Sequence, residues 1–167
     1  MQGEIHAIDG THVTTYQMPG ISRTDRAISL LEDSRGRIWI GRAHGISYIE
    51  QGRITHFTTQ DGVPTIGVVT MEEDALGRIW FGCRGSGGIL VYDGAEIKPF
   101  IETDGLDLNH VFTLERDSLG VMWIGSNAGV SRWDGTDFYH YTSADGIIDN
   151  YCTGIAHGAK GTLIGTD

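Results

Sequence analysis

The segment Gly36-Arg-Ile-Trp39-Ile-Gly41 returns as Gly77-Arg-Ile-Trp80-Phe-Gly82, as Gly120-Val-Met-Trp123-Ile-Gly125 and, in worn form, as Gly161-Thr-Leu-Ile-Gly165. Its tryptophans stand 41 and 43 residues apart, so the chain carries four copies of a unit of about 42 residues. A fixed period of this length restricts the fold to stacked or radial repeats, in which each unit buries its apolar faces against its neighbours. An alternating apolar segment and an acidic turn precede each of the first three copies: Glu32-Asp33-Ser34-Arg35, Glu73-Asp74-Ala75-Leu76 and Arg116-Asp117-Ser118-Leu119. The fourth has His157-Gly158-Ala159-Lys160 there, without the acids. Downstream lie another short strand with a turn such as Val91-Tyr92-Asp93-Gly94 or Arg132-Trp133-Asp134-Gly135, then an aromatic-tipped strand. That strand ends at Asp61-Gly62-Val63, Asp104-Gly105-Leu106 or Asp145-Gly146-Ile147.

Each period thus holds four runs of β-prone residues between glycine turns, with no stretch of helical periodicity. The 25 glycines and 3 prolines suit many tight turns. This predicts an all-β chain, a β-propeller of four-stranded antiparallel blades, four per chain. Residues 1–167 form a single unit, with continuous blades at 21–60, 62–103 and 105–144 and a split blade made from 147–167 plus 1–19. The register behind the split aligns Gly3–Gly10 with Gly45–Gly52 at an offset of 42, so that the first segment is a third strand and the last a second strand. Running from Gly165 through Asp167 to Met1 and Gly3 takes five steps, against four from Gly41 to Gly45. The alternative is an arbitrary slice of a longer propeller, which would leave two raw edges. Blades without helices are thin wedges, better suited to a large ring than to a closed ring of four. The expectation is a homodimer closing an eight-bladed ring, each copy's first strands completing the other's last blade.

Composition narrows the function classes. Twelve Lys and Arg against 22 Asp and Glu give a net charge of −10, which repels phosphate backbones and disfavours nucleic-acid binding. Cys83 and Cys152 lack C-x-x-C spacing and read as small buried hydrophobes. No membrane-length apolar run occurs, and the opening Met1-Gln2-Gly3-Glu4 is not that of a signal peptide, so the expected partners include no membrane.

The acidic turn, Gly-x-x-Trp-Ile-Gly, and the Asp-Gly-Leu before the next blade together resemble the two-component regulator propeller repeat. The resemblance spans almost the whole chain and is specific at three copies. It implies relatives in exported sensor portions of bacterial hybrid histidine kinases, where propellers bind ligands that are often carbohydrate-derived, and hence a periplasmic or extracellular setting. With no transmembrane helix, kinase or DNA-binding module beside the four blades, a complete signalling protein is not expected.

Trp39, Trp80 and Trp123 recur mid-strand and read as inter-blade core, while Asp33, Asp74 and Asp117 read as turn-stabilising carboxylates rather than metal ligands. No catalytic residue and no cofactor is assigned. Ligand contacts are expected on the face where the fourth-to-first and second-to-third loops converge on the channel, because there the copies differ. The fourth-to-first loops offer Asp25, Arg26, Asn109, His110, Asn150 and Tyr151; the second-to-third loops offer Arg42, His44, Arg84 and Asn127. The main expectation is a non-enzymatic binding or scaffold module with a small polar or glycan ligand. Two alternatives stand beside it: a propeller-fold lyase acting on uronic-acid polysaccharide or cyclic peptide through His44, His110 and Tyr151, and a natural or engineered half-propeller with no ligand.

Overall fold

A computed structural model describes residues 2–22, 24–63, 67–100, 110–159 and 161–167. Its elements are almost entirely strands. The opening hairpin pairs β1 (Gln2–Asp9) with β2 (His12–Ser22). Blade I contains β3 (Ala27–Glu32), β4 (Ile38–Arg42), β5 (Gly45–Glu50) and β6 (Arg53–Phe57). Blade II contains β7 (Val68–Glu73), β8 (Ile79–Cys83), β9 (Ile89–Tyr92) and β10 (Ile97–Pro99). Blade III contains β11 (Val111–Arg116), β12 (Met122–Ser126), β13 (Gly129–Trp133) and β14 (Phe138–Tyr141). A closing hairpin pairs β15 (Cys152–Gly158) with β16 (Gly161–Thr166). Each blade is an antiparallel meander in chain order, and the first strands β3, β7, β11 and β15 contact one another in turn. Among the described residues no helix is long and apolar enough to cross a membrane.

The repeated tryptophans explain why the blades stack. Trp39 of blade I is fully buried against Phe81 and Tyr92 of blade II, with ring centroids 5.5 and 5.1 Å away. Trp80 takes the same part among Leu114, Met122 and Ile124 of blade III, and Trp123 packs with Cys152 and Ile155 of the closing hairpin. Each indole is held by the acidic turn before it. Trp39 Nε1 donates to Asp33 at 2.8 Å, Trp80 to Asp74 at 2.9 Å and Trp123 to Asp117 at 3.0 Å. The carboxylates therefore brace the core and their own turns. Burial raises the Asp33 carboxyl, but bonds from Trp39, the Arg37 backbone and the Arg37 guanidinium outweigh it and hold the group below the usual range. In the fourth copy Gly158 and Leu163 occupy the places of the acid and the indole, so both halves of the pair are missing together.

The two hairpins do not join within the chain. The opening hairpin packs Ile5, Tyr16 and Met18 against Ile40 and Ile49 of blade I. The closing hairpin packs Cys152, Ile155 and Ile164 against Trp123 and Val130 of blade III. They are separate two-stranded sheets, with no strand pairing between them among the described residues. The expected split blade of 147–167 plus 1–19 is thus not one sheet within the chain: its two hairpins, β15–β16 and β1–β2, flank an arc. Ile21 and Ser22, expected in the first blade, belong to β2.

The offset also changes. Asp9 faces His12 across the first turn as Glu50 faces Arg53, and Ile5 pairs with Tyr16 as Ile46 pairs with Phe57. These correspondences give an offset of 41. The glycine match at 42 is one residue out because glycine takes the first position of one turn and the second of the other. Glu4 then aligns with Gly45, and the path from Gly165 takes six steps instead of five.

Candidate functional site: the channel-mouth loops

One backbone bond joins the two loops of every unit. Ala43 N–H donates to Arg26 O at 3.1 Å, Arg84 to Gly67 at 3.0 Å, Asn127 to His110 at 3.1 Å and Asp167 to Tyr151 at 3.3 Å. The loops at the mouth therefore share a common frame while position 26 and its equivalents carry Arg, Gly, His and Tyr.

Several of the expected ligand contacts serve that frame. Arg42 is buried and ion-paired with Asp25, whose other oxygen accepts from the His44 backbone at 2.7 Å. Burial lowers the Arg42 pKa despite the neighbouring carboxylate. Asn127 Oδ1 accepts from His110 N at 3.3 Å, and Asn150 Oδ1 accepts from Ser143 N at 2.7 Å. Arg26, His44, Arg84 and Tyr151 remain exposed, and no ion pair engages Arg26 or Arg84 among the described residues. Asn109 lies outside the described residues.

The structure adds Phe112, which was not among the sequence candidates. Each first strand skips one residue against its partner, between Ala27/Ser29, Val68/Thr70, Val111/Thr113 and Cys152/Gly154. Such a bulge re-aims the extra side chain. In blade III that residue is Phe112, whose ring stands 4.9 Å from Tyr151 and 6.2 Å from His110. His110 Nδ1 accepts from Gly85 N at 3.1 Å, which brings the Arg84 loop of blade II beside this row. Nδ1 is thus an acceptor, leaving Nε2 as the protonated nitrogen of neutral His110. The sequence signal was the run Val111-Phe112-Thr113-Leu114, where adjacent apolar residues break strand alternation.

His44, His110 and Tyr151 are not brought into one hydrogen-bonded cluster. His44 sits 3.5 Å from Asp25, whereas His110 and Tyr151 meet through Phe112. Among the described residues no group of three metal-ligating side chains converges. Cys83 is buried, which pushes its thiol up to about 12 and offsets any effect of the adjacent Arg84.

Two serine–histidine pairs stand next to the mouth loops, His56 near Arg42 and Asp25 and His140 bonded to the Ala128 backbone. Ser47 Oγ is 2.8 Å from His56 Nδ1, and Ser131 Oγ is 2.9 Å from His140 Nδ1, both as cross-strand partners. Both serines are fully buried, so the pairs are sheet contacts rather than exposed nucleophiles. Burial lowers both histidine pKa values, with the Arg42 charge adding to the effect at His56. The unfolded chain takes up these protons near 6.5, the folded chain only at lower pH. Their contribution to stability is therefore complete above 6.5 and falls as the pH drops towards the folded-state values. Melting temperatures across this range should decline less steeply for His56→Gln than for the parent chain, and identical slopes would refute the assignment.

The stacked blades and loop-bearing mouth define an arc of a β-propeller. The family model of the two component regulator propeller matches residues 22–41 and 105–128 of the chain. It is similar to the extracellular domain of a hybrid two component system from B. thetaiotaomicron, at 25% identity and TM-score 0.74, over 87% of this chain and 20% of that one. A second hybrid two component system extracellular domain from B. thetaiotaomicron matches in fold at 19% identity and TM-score 0.66, over 98% of this chain and 24% of that one. Virginiamycin B lyase from Staphylococcus aureus matches in fold at 19% identity and TM-score 0.77, over 96% and 55% of the two chains. The chain thus spans about a fifth to a half of the length of these structures. A comparison with curated proteins gives no match.

Proposed function

We propose that this propeller arc is a non-enzymatic binding module of the sensor type, which takes a small polar, carbohydrate-derived ligand at the channel mouth. The observation that carries the reading is the row His110–Phe112–Tyr151 beside the Arg84 loop. The exposed Tyr151 ring and the half-buried Phe112 and His110 beside it suit the apolar face of a sugar ring, and a guanidinium offers paired donors to a carboxylate. The similarity to extracellular domains of hybrid two component systems supports the same class. The two loops of each unit are tied by backbone, so such a site is held ready by the fold.

The test is a thermal-shift series with neutral and uronic-acid oligosaccharides. At a hundredfold excess over Kd, a ligand adds about 2.7 kcal/mol, which raises Tm by roughly 5–10 °C for a chain of this size. The rise is expected for uronic-acid sugars, and Arg84→Ala and Tyr151→Ala should each abolish it. No rise with any sugar would overturn the reading. Ultraviolet absorbance of an unsaturated product would replace binding by lyase chemistry.

A further inference from the structure

Four positions depart from the burial seen in their repeat equivalents, and all point to absent neighbouring strands. Leu30 on β3 is 58% exposed, whereas Met71, Leu114 and Ile155 at the same place are at most 8% exposed. Ala27 is exposed where Val68, Val111 and Cys152 are fully buried. Ile8 is 75% exposed on the face of β1 turned away from blade I, while its equivalent Ile49 is 4% exposed. Leu163 on β16 is 67% exposed, whereas Trp39 and Trp80 are buried. The cavity of about 340 Å³ inward of β1, lined by Ile5, Met18, Ala27 and Ile40, lies in the same gap.

The two ends are counterparts. Among the described residues no inner strand pair covers Ala27 and Leu30 of blade I, and β15–β16 has the form of such a pair. Among the described strands β16 has no neighbour on its second edge, and β1–β2 has the form of the third and fourth strands of a blade. We propose that the partner is a second copy of this chain, whose β1 adds to the free edge of β16 to complete a four-stranded blade. The register of blade I, transferred by repeat equivalence, sets Leu163 opposite Ala7 and Gly165 opposite Ile5, as Trp39 is opposite Tyr48 and Gly41 opposite Ile46. Leu163 then covers Leu30, and Gly165 backs onto Ala27 of the second copy. Ile8 and Val13 meet the outer strands of blade III, where Tyr139 is also exposed. Reciprocal pairing closes after two copies into a ring of eight blades and leaves neither hairpin as an unpaired half-blade. The assembly is independent of any ligand at the mouth.

Sedimentation equilibrium of the 167-residue chain should give a particle of twice the 18.2 kDa chain mass. Gly165→Val and Leu30→Asp change positions that are open in the single chain, and each should yield a monomer with an unchanged circular dichroism spectrum. Mixing Ala7→Cys with Leu163→Cys under oxidation should give a covalent dimer that neither variant forms alone. The native cysteines are buried and do not compete. A parent chain that stays monomeric would overturn the proposal, as would an intact dimer of Gly165→Val. A ladder of larger oligomers would overturn closure by two copies.

Discussion

Asp33→Ala is expected to destabilise the chain by about 3–5 kcal/mol, the cost of removing one partner of a buried charged pair. The Asp33 side chain is fully buried and accepts four bonds: from Arg35 N at 3.0 Å, Arg37 N at 2.9 Å, Arg37 Nε at 2.6 Å and Trp39 Nε1 at 2.8 Å. Alanine would leave the Arg37 guanidinium unpaired among the rings of Trp39, Tyr48 and Tyr92. It would also strand the Trp39 indole N–H inside the interface of blades I and II. Asp117→Ala should cost less, about 1–3 kcal/mol, because Val121 stands where the arginine would be and no ion pair is lost. Since domains of this kind have only about 5–15 kcal/mol in hand, the first change consumes a large share of the stability. Equilibrium unfolding in urea measures both differences. Equal losses would show that the indole bond, not the charge, determines the effect. Acid acts in the same direction. The folded-state pKa values of Asp33 and Asp74 lie below the unfolded value of 3.8, so their stabilisation is present above it and disappears as the pH falls through the lower folded values.

The spacing from Asp33 to Trp39 shows how much the sequence revealed. A period of 42 residues, a tryptophan flanked by glycines and an acid six residues upstream were enough to place the strands, the turns and the inter-blade core, because these are local and repeated. What repeats can be averaged over copies. The ends were less clear, since Gly10 and Gly52 occupy different turn positions and the strand pairings, Asp9 with His12 and Ile5 with Tyr16, fix the offset at 41. The channel mouth was partly visible. Arg26, Arg84, His110 and Tyr151 were found because they vary between copies, but variation does not distinguish a free side chain from one used in the frame. The Asp25–Arg42 ion pair spans 17 residues and depends on two loops meeting. Phe112 depends on a bulge, a backbone feature with only a weak signature in the order of apolar residues.

Gly41→Val is the second large effect, expected to cost about 3 kcal/mol or more through overpacking. A Cβ at Gly41 would stand 2.8 Å from the Val68 carbonyl oxygen and 2.9 Å from Val68 Cγ1, and would collide with the Ser29 hydroxyl. Ser29 Oγ itself donates to Val68 O at 3.0 Å, so relief by turning the serine would break a bond between blades I and II. Gly82 backs onto Val111 in the same way, and Gly125 onto Cys152. The glycine after each tryptophan thus marks where the second strand of one blade meets the first strand of the next. Gly165 has the same place in its hairpin, yet its nearest neighbour is Gly154 O at 3.7 Å. Valine should therefore destabilise the single chain at Gly41 and leave it nearly unchanged at Gly165. Thermal unfolding of both variants at a concentration where the chain is monomeric separates the sites. A comparable loss at Gly165 would mean that a blade already covers it within one chain, and that the arc closes on itself.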